Sequence, residues 1–189
     1  MSETAGRPSE AQLATKRVHT GRIVNLDVDT VRFPDGSTGE LEVLRHSGAS
    51  AVVPFLNDPE GADPQVLLLR QYRYATDGYL YEIPAGRLEA GEAPEACARR
   101  ELREETGCEC RELEHLTTFW TTPGFTDERI HIYMATGLTT GEHAREADEF
   151  LETVPMPLSR ALEMIRDGEI NDGKTIVGLL YAAGFLAGP

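Results

Sequence analysis

The sequence predicts an α/β fold in which a mixed β-sheet is flanked by helices, with a β-hairpin ahead of it. Three observations carry this. Segments of strand character lie on both sides of one charged helix, between Ser50 and Met156. Two helical segments follow, one from Pro157 and one from Gly173. Near the start, two period-two stretches are joined by Pro34-Asp35-Gly36. Strands before and after a central helix, with helices at the end, are the element order of a sheet covered by helices.

Taken in order, residues 1–16 are polar, contain Gly and Pro and keep no period, so they read as a flexible tail. Residues 17–47 form the hairpin region. Arg22 to Phe33 alternates at period two, Pro34-Asp35-Gly36 turns, and Gly39 to Arg45 alternates again. Its apolar set (Ile23, Leu26, Val28, Val31, Leu41, Val43) is expected to cover the core or a partner subunit. The main domain is 48–189. Ser50–Leu56 and Gln65–Arg73 are apolar enough to be central strands, separated by a loop at 57–61. Thr76-Asp77-Gly78 is a turn before a strand at Tyr79–Pro84. The charged helix runs from Pro94 to Gly107. Leu113–Trp120 is a candidate strand, Thr121–Glu128 a loop, and Ile130–Thr136 a strand. The acidic stretch 137–149 reads as a surface loop, and Phe150–Met156 as a short strand. A helix follows from Pro157, with Ser159 a candidate cap and Gly168 its end. The run from Gly173 is a core-type helix, too short to span a membrane.

Composition narrows the function classes. The net charge is −14, with 18 basic and 32 acidic residues. Such a chain has no electrostatic footprint for nucleic-acid backbones or anionic membranes. An anionic substrate would need a metal or local arginines to attract it. Cys97, Cys108 and Cys110 cannot all pair, and Cys108-x-Cys110 lacks further zinc ligands. Reduced thiols in a cytoplasm are expected. No signal peptide is apparent. His115, His131 and His143 show no metal-ligand spacing.

The charged helix asks for an explanation. Glu101, Glu104 and Glu105 project to one side of it, and like charges at that spacing destabilise a helix by a few tenths of a kcal/mol per pair. A hard divalent cation resolves the conflict, because Mg²⁺ takes carboxylate oxygens and keeps water and substrate phosphates as its other ligands. The bland alternative is a solvated face, since Arg99, Arg100 and Arg103 are interleaved. The spacing favours the cation. Gly86, five residues, Glu92, seven residues, then Arg100-Glu101-Leu102-x-Glu104-Glu105-x-Gly107 resembles the Nudix box at each fixed position. The one departure is Cys108 where the pattern ends in a bulky aliphatic, a mild change for a small buried hydrophobe.

The resemblance extends to Tyr81-Glu-Ile-Pro-Ala-Gly-Arg-Leu-Glu before the box and to Thr122-Pro-Gly-Phe-Thr-Asp-Glu after it, which look like the ADP-ribose pyrophosphatase branch. It implies a Nudix-type α/β/α sandwich for 48–189 and Mg²⁺-dependent hydrolysis of ADP-ribose to AMP and ribose 5-phosphate, with Mn²⁺ a possible substitute. The alternatives are another nucleoside-diphosphate sugar, such as GDP-mannose or a UDP-sugar, and a non-catalytic nucleotide-binding module. By the same resemblance Glu101, Glu105 and the Ala85 carbonyl are metal ligands, Glu104 is an additional one, and Arg100 holds the acids in place. Glu92 supports the loop before the helix. A base is expected on the 146–149 loop, which offers Glu146, Asp148 and Glu149, with Glu149 the first candidate and Glu146 the second. The family often has two glutamates one residue apart there; Ala147 stands in this chain. Arg73, Glu82, Pro123 and Phe125 are substrate-contact candidates. Homodimers with exchanged N-terminal strands are common in this branch, a use the hairpin would suit.

Overall fold

The computed structural model describes residues 10–140 and 151–186. Contacts divide the chain into two units, Met1–Ser47 with Trp120–Glu128, and Gly48–Phe119 with Arg129–Pro189.

The first unit is a three-stranded antiparallel sheet in the order β1-β2-β3: β1 (Gln12–Thr20), β2 (Asn25–Arg32) and β3 (Thr38–Arg45). β2 and β3 are the expected hairpin. Its turn is closed by Asp35, which accepts from the Ser37 N–H at 2.9 Å and from the Ser37 hydroxyl at 2.6 Å. β1 departs from the sequence reading, which left residues 12–16 in a flexible tail. Its attachment is electrostatic as well as ladder-like: Arg17 pairs with Asp27 across the strands. The buried face of the hairpin also inverts expectation. Asp27 and Asp29 are buried, while Ile23 and Leu41 are about half exposed. The carboxylates tolerate this because Arg45 bridges both of them; an unpaired buried charge would not survive. Arg17 is also the largest cause holding the Asp27 carboxyl below its ordinary range.

The second unit is built on two sheets. One has the order β7-β4-β9-β8 and the other β10-β5-β6. The strands are β4 (Ala49–Pro54), β5 (Gln65–Arg73), β6 (Gly78–Glu82), β7 (Ala85–Arg87), β8 (Cys108–Trp120), β9 (Arg129–Thr140) and β10 (Leu151–Pro157). β4 runs parallel to β9 and antiparallel to β7, so the first sheet is mixed, as expected. The helices are α1 (Pro94–Thr106), α2 (Leu158–Arg166) and α3 (Gly173–Leu186). Period-two alternation splits the strands between two cores. Ala51, Val53, Leu68 and Ile132 pack with Ala161 and Met164 of α2 and Leu179 of α3. Val52, Leu67 and Tyr133 pack with Ala98 and Leu102 of α1. This is the α/β/α sandwich. Each fully buried Leu or Ile contributes about 2 kcal/mol to it.

Boundaries shifted where local signals were weak. β8 begins at Cys108 rather than Leu113, and β9 continues to Thr140, so the first part of the expected 137–149 loop is strand. Ser159 does not cap α2; its hydroxyl bonds Asp63 instead, at 3.0 Å. Cys108 is buried in the α1 core, filling the place of an aliphatic side chain.

Candidate active site

The site grows from two neighbouring pieces, α1 and the three residues of β7. α1 starts at Pro94, whose missing N–H costs nothing at a helix start. It stops at Gly107, whose φ of +69° is left-handed and whose N–H reaches the Arg103 carbonyl at 2.8 Å. Leu102 and Ala98 press one face into the core, and this leaves Glu101 and Glu105 against β7, 9% and 3% exposed. Glu105 accepts the Ala85 N–H at 2.9 Å. Glu101 lies over Gly86 so closely that a Cβ there would sit 1.8 Å from its Oε1. Gly86 is a strand residue, opposite Ser50, that must be glycine to admit a carboxylate.

Arg100 organises the acids. Its Nε and Nη2 grip Glu92 at 2.9 and 3.0 Å, and its Nη1 bonds Glu101 at 2.5 Å and Glu104 at 3.1 Å. Nη2 also donates to the Arg87 carbonyl at 3.1 Å, tying α1 to β7. The planar fork suits such multiple pairing. Glu92 in turn accepts the Glu89 N–H at 2.9 Å, which fixes the loop ahead of the helix. Beneath them Cys97 is buried, and burial pushes its thiol up to about 11.

The Arg100 hydrogen bonds hold the Glu92 carboxyl at about 2, well below the ordinary 4.5. A depressed folded-state value means that the pair stabilises the fold above the unfolded value, and that this stability is lost as pH falls from about 4.5 toward 2. The melting-temperature gap between wild type and Glu92→Gln is therefore expected to be full at neutral pH and to close across that window. A gap that does not change with pH refutes the assignment.

The donor chemistry here is all oxygen: two buried carboxylates, a third partly exposed one on Glu104, and the backbone of Ala85. Among the described residues no group of three His, Cys, Asp or Glu side chains is by itself placed to hold a metal ion. Oxygen donors of this kind suit a hydrated divalent cation, which takes one or two carboxylates and fills its other positions with water and phosphate. A separate cavity of about 530 Å³, lined by Asn57, Asp58, Arg111, Glu114 and Met134 among others, contains none of these residues.

Residues 46–176 match the family described as NUDIX domain. The chain belongs to the Nudix family. It is 41% identical to a methanol dehydrogenase activator of Bacillus methanolicus over 91% of both chains. It is 36% identical to an ADP-ribose pyrophosphatase of Bacillus subtilis, again over 91% of both. A crystal structure of an ADP compounds hydrolase shares the fold with a TM-score of 0.81, covering 99% of this chain and 98% of that one at 23% identity.

On this Nudix scaffold the other candidate residues separate. Arg73 and Glu82 meet in a two-pronged pair, both bonds 2.7 Å. Glu82 is only 1% exposed and takes the arginine rather than presenting itself to solvent. Pro123 and Phe125 belong to the first unit. There the Phe125 carbonyl accepts the Leu44 N–H at 2.8 Å, and the Phe125 ring is about half exposed. Glu146 and Glu149 lie outside the described residues. The sequence reading missed Lys174, which bonds both Glu82 and Asp172. Its only local signal is Asp172-Gly-Lys-Thr175, a helix-start pattern that identifies Asp172 as a cap but names no partner for the lysine.

Proposed function

We propose that this protein hydrolyses the diphosphate linkage of ADP-ribose, giving AMP and ribose 5-phosphate, with Mg²⁺ as the resident cation. The observation that carries the reading is the seating of Glu101 and Glu105 on Gly86 and Ala85, with Arg100 holding the acids. The 36% identical ADP-ribose pyrophosphatase supports the choice of substrate. Glu101, Glu105 and the Ala85 carbonyl would hold the cation, with Glu104 a further ligand. When bound, it neutralises the diphosphate and makes water a better nucleophile at neutral pH. Arg73 attracts the diphosphate. Glu149, or failing it Glu146, takes the proton from the attacking water.

A panel of ADP-ribose, GDP-mannose and UDP-glucose with Mg²⁺ or Mn²⁺, scored for mononucleotide release, tests this. AMP release from ADP-ribose should dominate; no turnover of any diphosphate sinks the enzyme reading, and preference for GDP-mannose moves the substrate. Glu149→Gln is expected to lower turnover by about a hundredfold or more, with Glu146→Gln less affected. Full activity in both removes the base from that loop.

The half-exposed apolar residues of the first unit, Leu13, Val18, Ile23 and Leu41, support a homodimer through this sheet. Light scattering giving the monomer mass of 20.8 kDa would overturn it. No described helix is long and apolar enough to cross a membrane. The three free thiols support a cytoplasmic setting, which cell fractionation checks. The relative named as a dehydrogenase activator favours a second reading, in which the protein regulates a partner dehydrogenase. A methanol dehydrogenase whose rate is unchanged on adding this protein would count against it.

A further inference from the structure

The first turn of α3 closes an ionic cluster around Arg73 whose other members the reaction scheme above does not use. Glu82 ends β6, and its carboxylate is buried. Arg73 takes it with Nε and Nη2, and Lys174 bonds the oxygen that Nη2 also reaches. Lys174 continues to Asp172 at 3.0 Å. Asp172 accepts the Thr175 N–H at 3.0 Å and the Thr175 hydroxyl proton at 2.6 Å. The Thr175 oxygen accepts the N–H of Ile83 at 2.9 Å, two residues before Ala85. One turn of helix therefore grips both Glu82 and the strand segment that leads into the acidic site.

The charges in this cluster are unequal in their access to solvent. The Lys174 side chain is 13% exposed, Glu82 is 1% and Arg73 is 41%. Arg73 is the member that opens outward, and it also feels the negative charge of Glu105. With Glu82 as its sole partner, the Arg73 charge would be cancelled at close range. Lys174 shares that carboxylate, so Glu82 does not offset the guanidinium alone, while Asp172 brings the four charges into balance. A buried ion network is rarely more stable than an apolar replacement, so stability is a poor reason for it.

We propose that Lys174 is a positioning residue for the substrate diphosphate. By sharing Glu82 it keeps the Arg73 guanidinium fixed and effectively positive, and the Asp172–Thr175 cap holds the turn that carries it. The identity of the ligand rests on the ADP-ribose reading; the charge relation does not.

The test is calorimetric titration of ADP-ribose in EDTA, where neither metal nor turnover contributes, alongside KM and kcat with Mg²⁺. Lys174→Met is expected to weaken ADP-ribose by about tenfold and to raise KM similarly, with a smaller change in kcat. Lys174→Arg should stay within about twofold of wild type, because its charge is kept. Asp172→Asn preserves the cap, since Asn caps as well as Asp, and removes one negative charge. The double variant Lys174→Met/Asp172→Asn returns the net charge of the cluster to its wild-type value but still leaves Glu82 to Arg73 alone, so it is expected to stay within about twofold of Lys174→Met. Unchanged affinity in Lys174→Met overturns the proposal. So does an arginine variant as weak as the methionine one, or a double variant that regains wild-type affinity, which would make the effect one of net charge. If Lys174→Met does not fold, Lys174→Gln takes its place in each comparison. Wild-type protein that neither binds nor cleaves ADP-ribose overturns the substrate reading instead. Inorganic pyrophosphate then serves as the probe, and its affinities must fall in the same order.

Discussion

Gly86→Ala is expected to give a folded protein with roughly a thousandfold less turnover. The new Cβ would lie 1.8 Å from Glu101 Oε1, 2.1 Å from its Cδ and 2.6 Å from Oε2. No atoms can share that space, so one partner must move. The backbone is the stiffer of the two, because β7 is paired to β4 through Ala49↔Arg87, Ser50↔Gly86 and Ala51↔Ala85. Glu101 is the end of a flexible side chain and swings away, breaking its bond to Arg100. An off-rotamer side chain and a lost ion-pair contact cost about 1–2 kcal/mol together, so the melting point should fall by only a few degrees. On the proposed reading the cation would lose a ligand, and removing several kcal/mol of transition-state charge stabilisation would account for the rate loss. Thermal melts, kcat and a Mn²⁺ titration measure the two consequences separately. Wild-type turnover would show that the position of Glu101 over Gly86 is irrelevant to the chemistry. Global unfolding would show that the strand, and not the side chain, gave way.

The contrast between this glycine and Gly107 shows what a sequence makes legible. Gly107 follows a helix and takes a left-handed conformation, a local requirement that the pattern announces. Gly86 is glycine because of a residue fifteen positions later. Its spacing from the glutamates pointed to the right residue, but the reason became visible only when α1 lay against β7. The same distinction runs through the fold. β4, β5 and β9 were readable because each carries its own run of apolar residues. β1 was not, because its pairing with β2 includes the Arg17–Asp27 contact and its own side chains are mostly exposed. β7 escaped because three residues hold no period. The hairpin's alternation was read correctly as a strand pattern, yet which face is buried depends on Arg45 meeting Asp27 and Asp29 from another strand. Lys174 lies 92 residues from Glu82, beyond any local rule.

Glu105→Gln separates the chemical role of the acidic helix from its structural one. The Glu105 oxygen that accepts the Ala85 N–H has an isosteric counterpart in the glutamine carbonyl, so that 2.9 Å bond can persist. The substitution removes a negative charge from a nearly buried position without opening a cavity, and the melting temperature should change by only a few degrees. An amide is a much poorer ligand for a hard cation than a carboxylate, and turnover is expected to fall by roughly a thousandfold. Raising Mg²⁺ should recover only part of it. Glu104→Gln gives the comparison. Its carboxylate is partly exposed and meets Arg100 at 3.1 Å, so its loss should cost about tenfold. The order of the two effects matters more than either value. Two carboxylates seated on β7, with a third assisting from the solvent side, require the Glu105 variant to be the more damaged. Equal losses would make the three acids one diffuse electrostatic patch. A wild-type rate in Glu105→Gln would remove the metal site from this helix altogether.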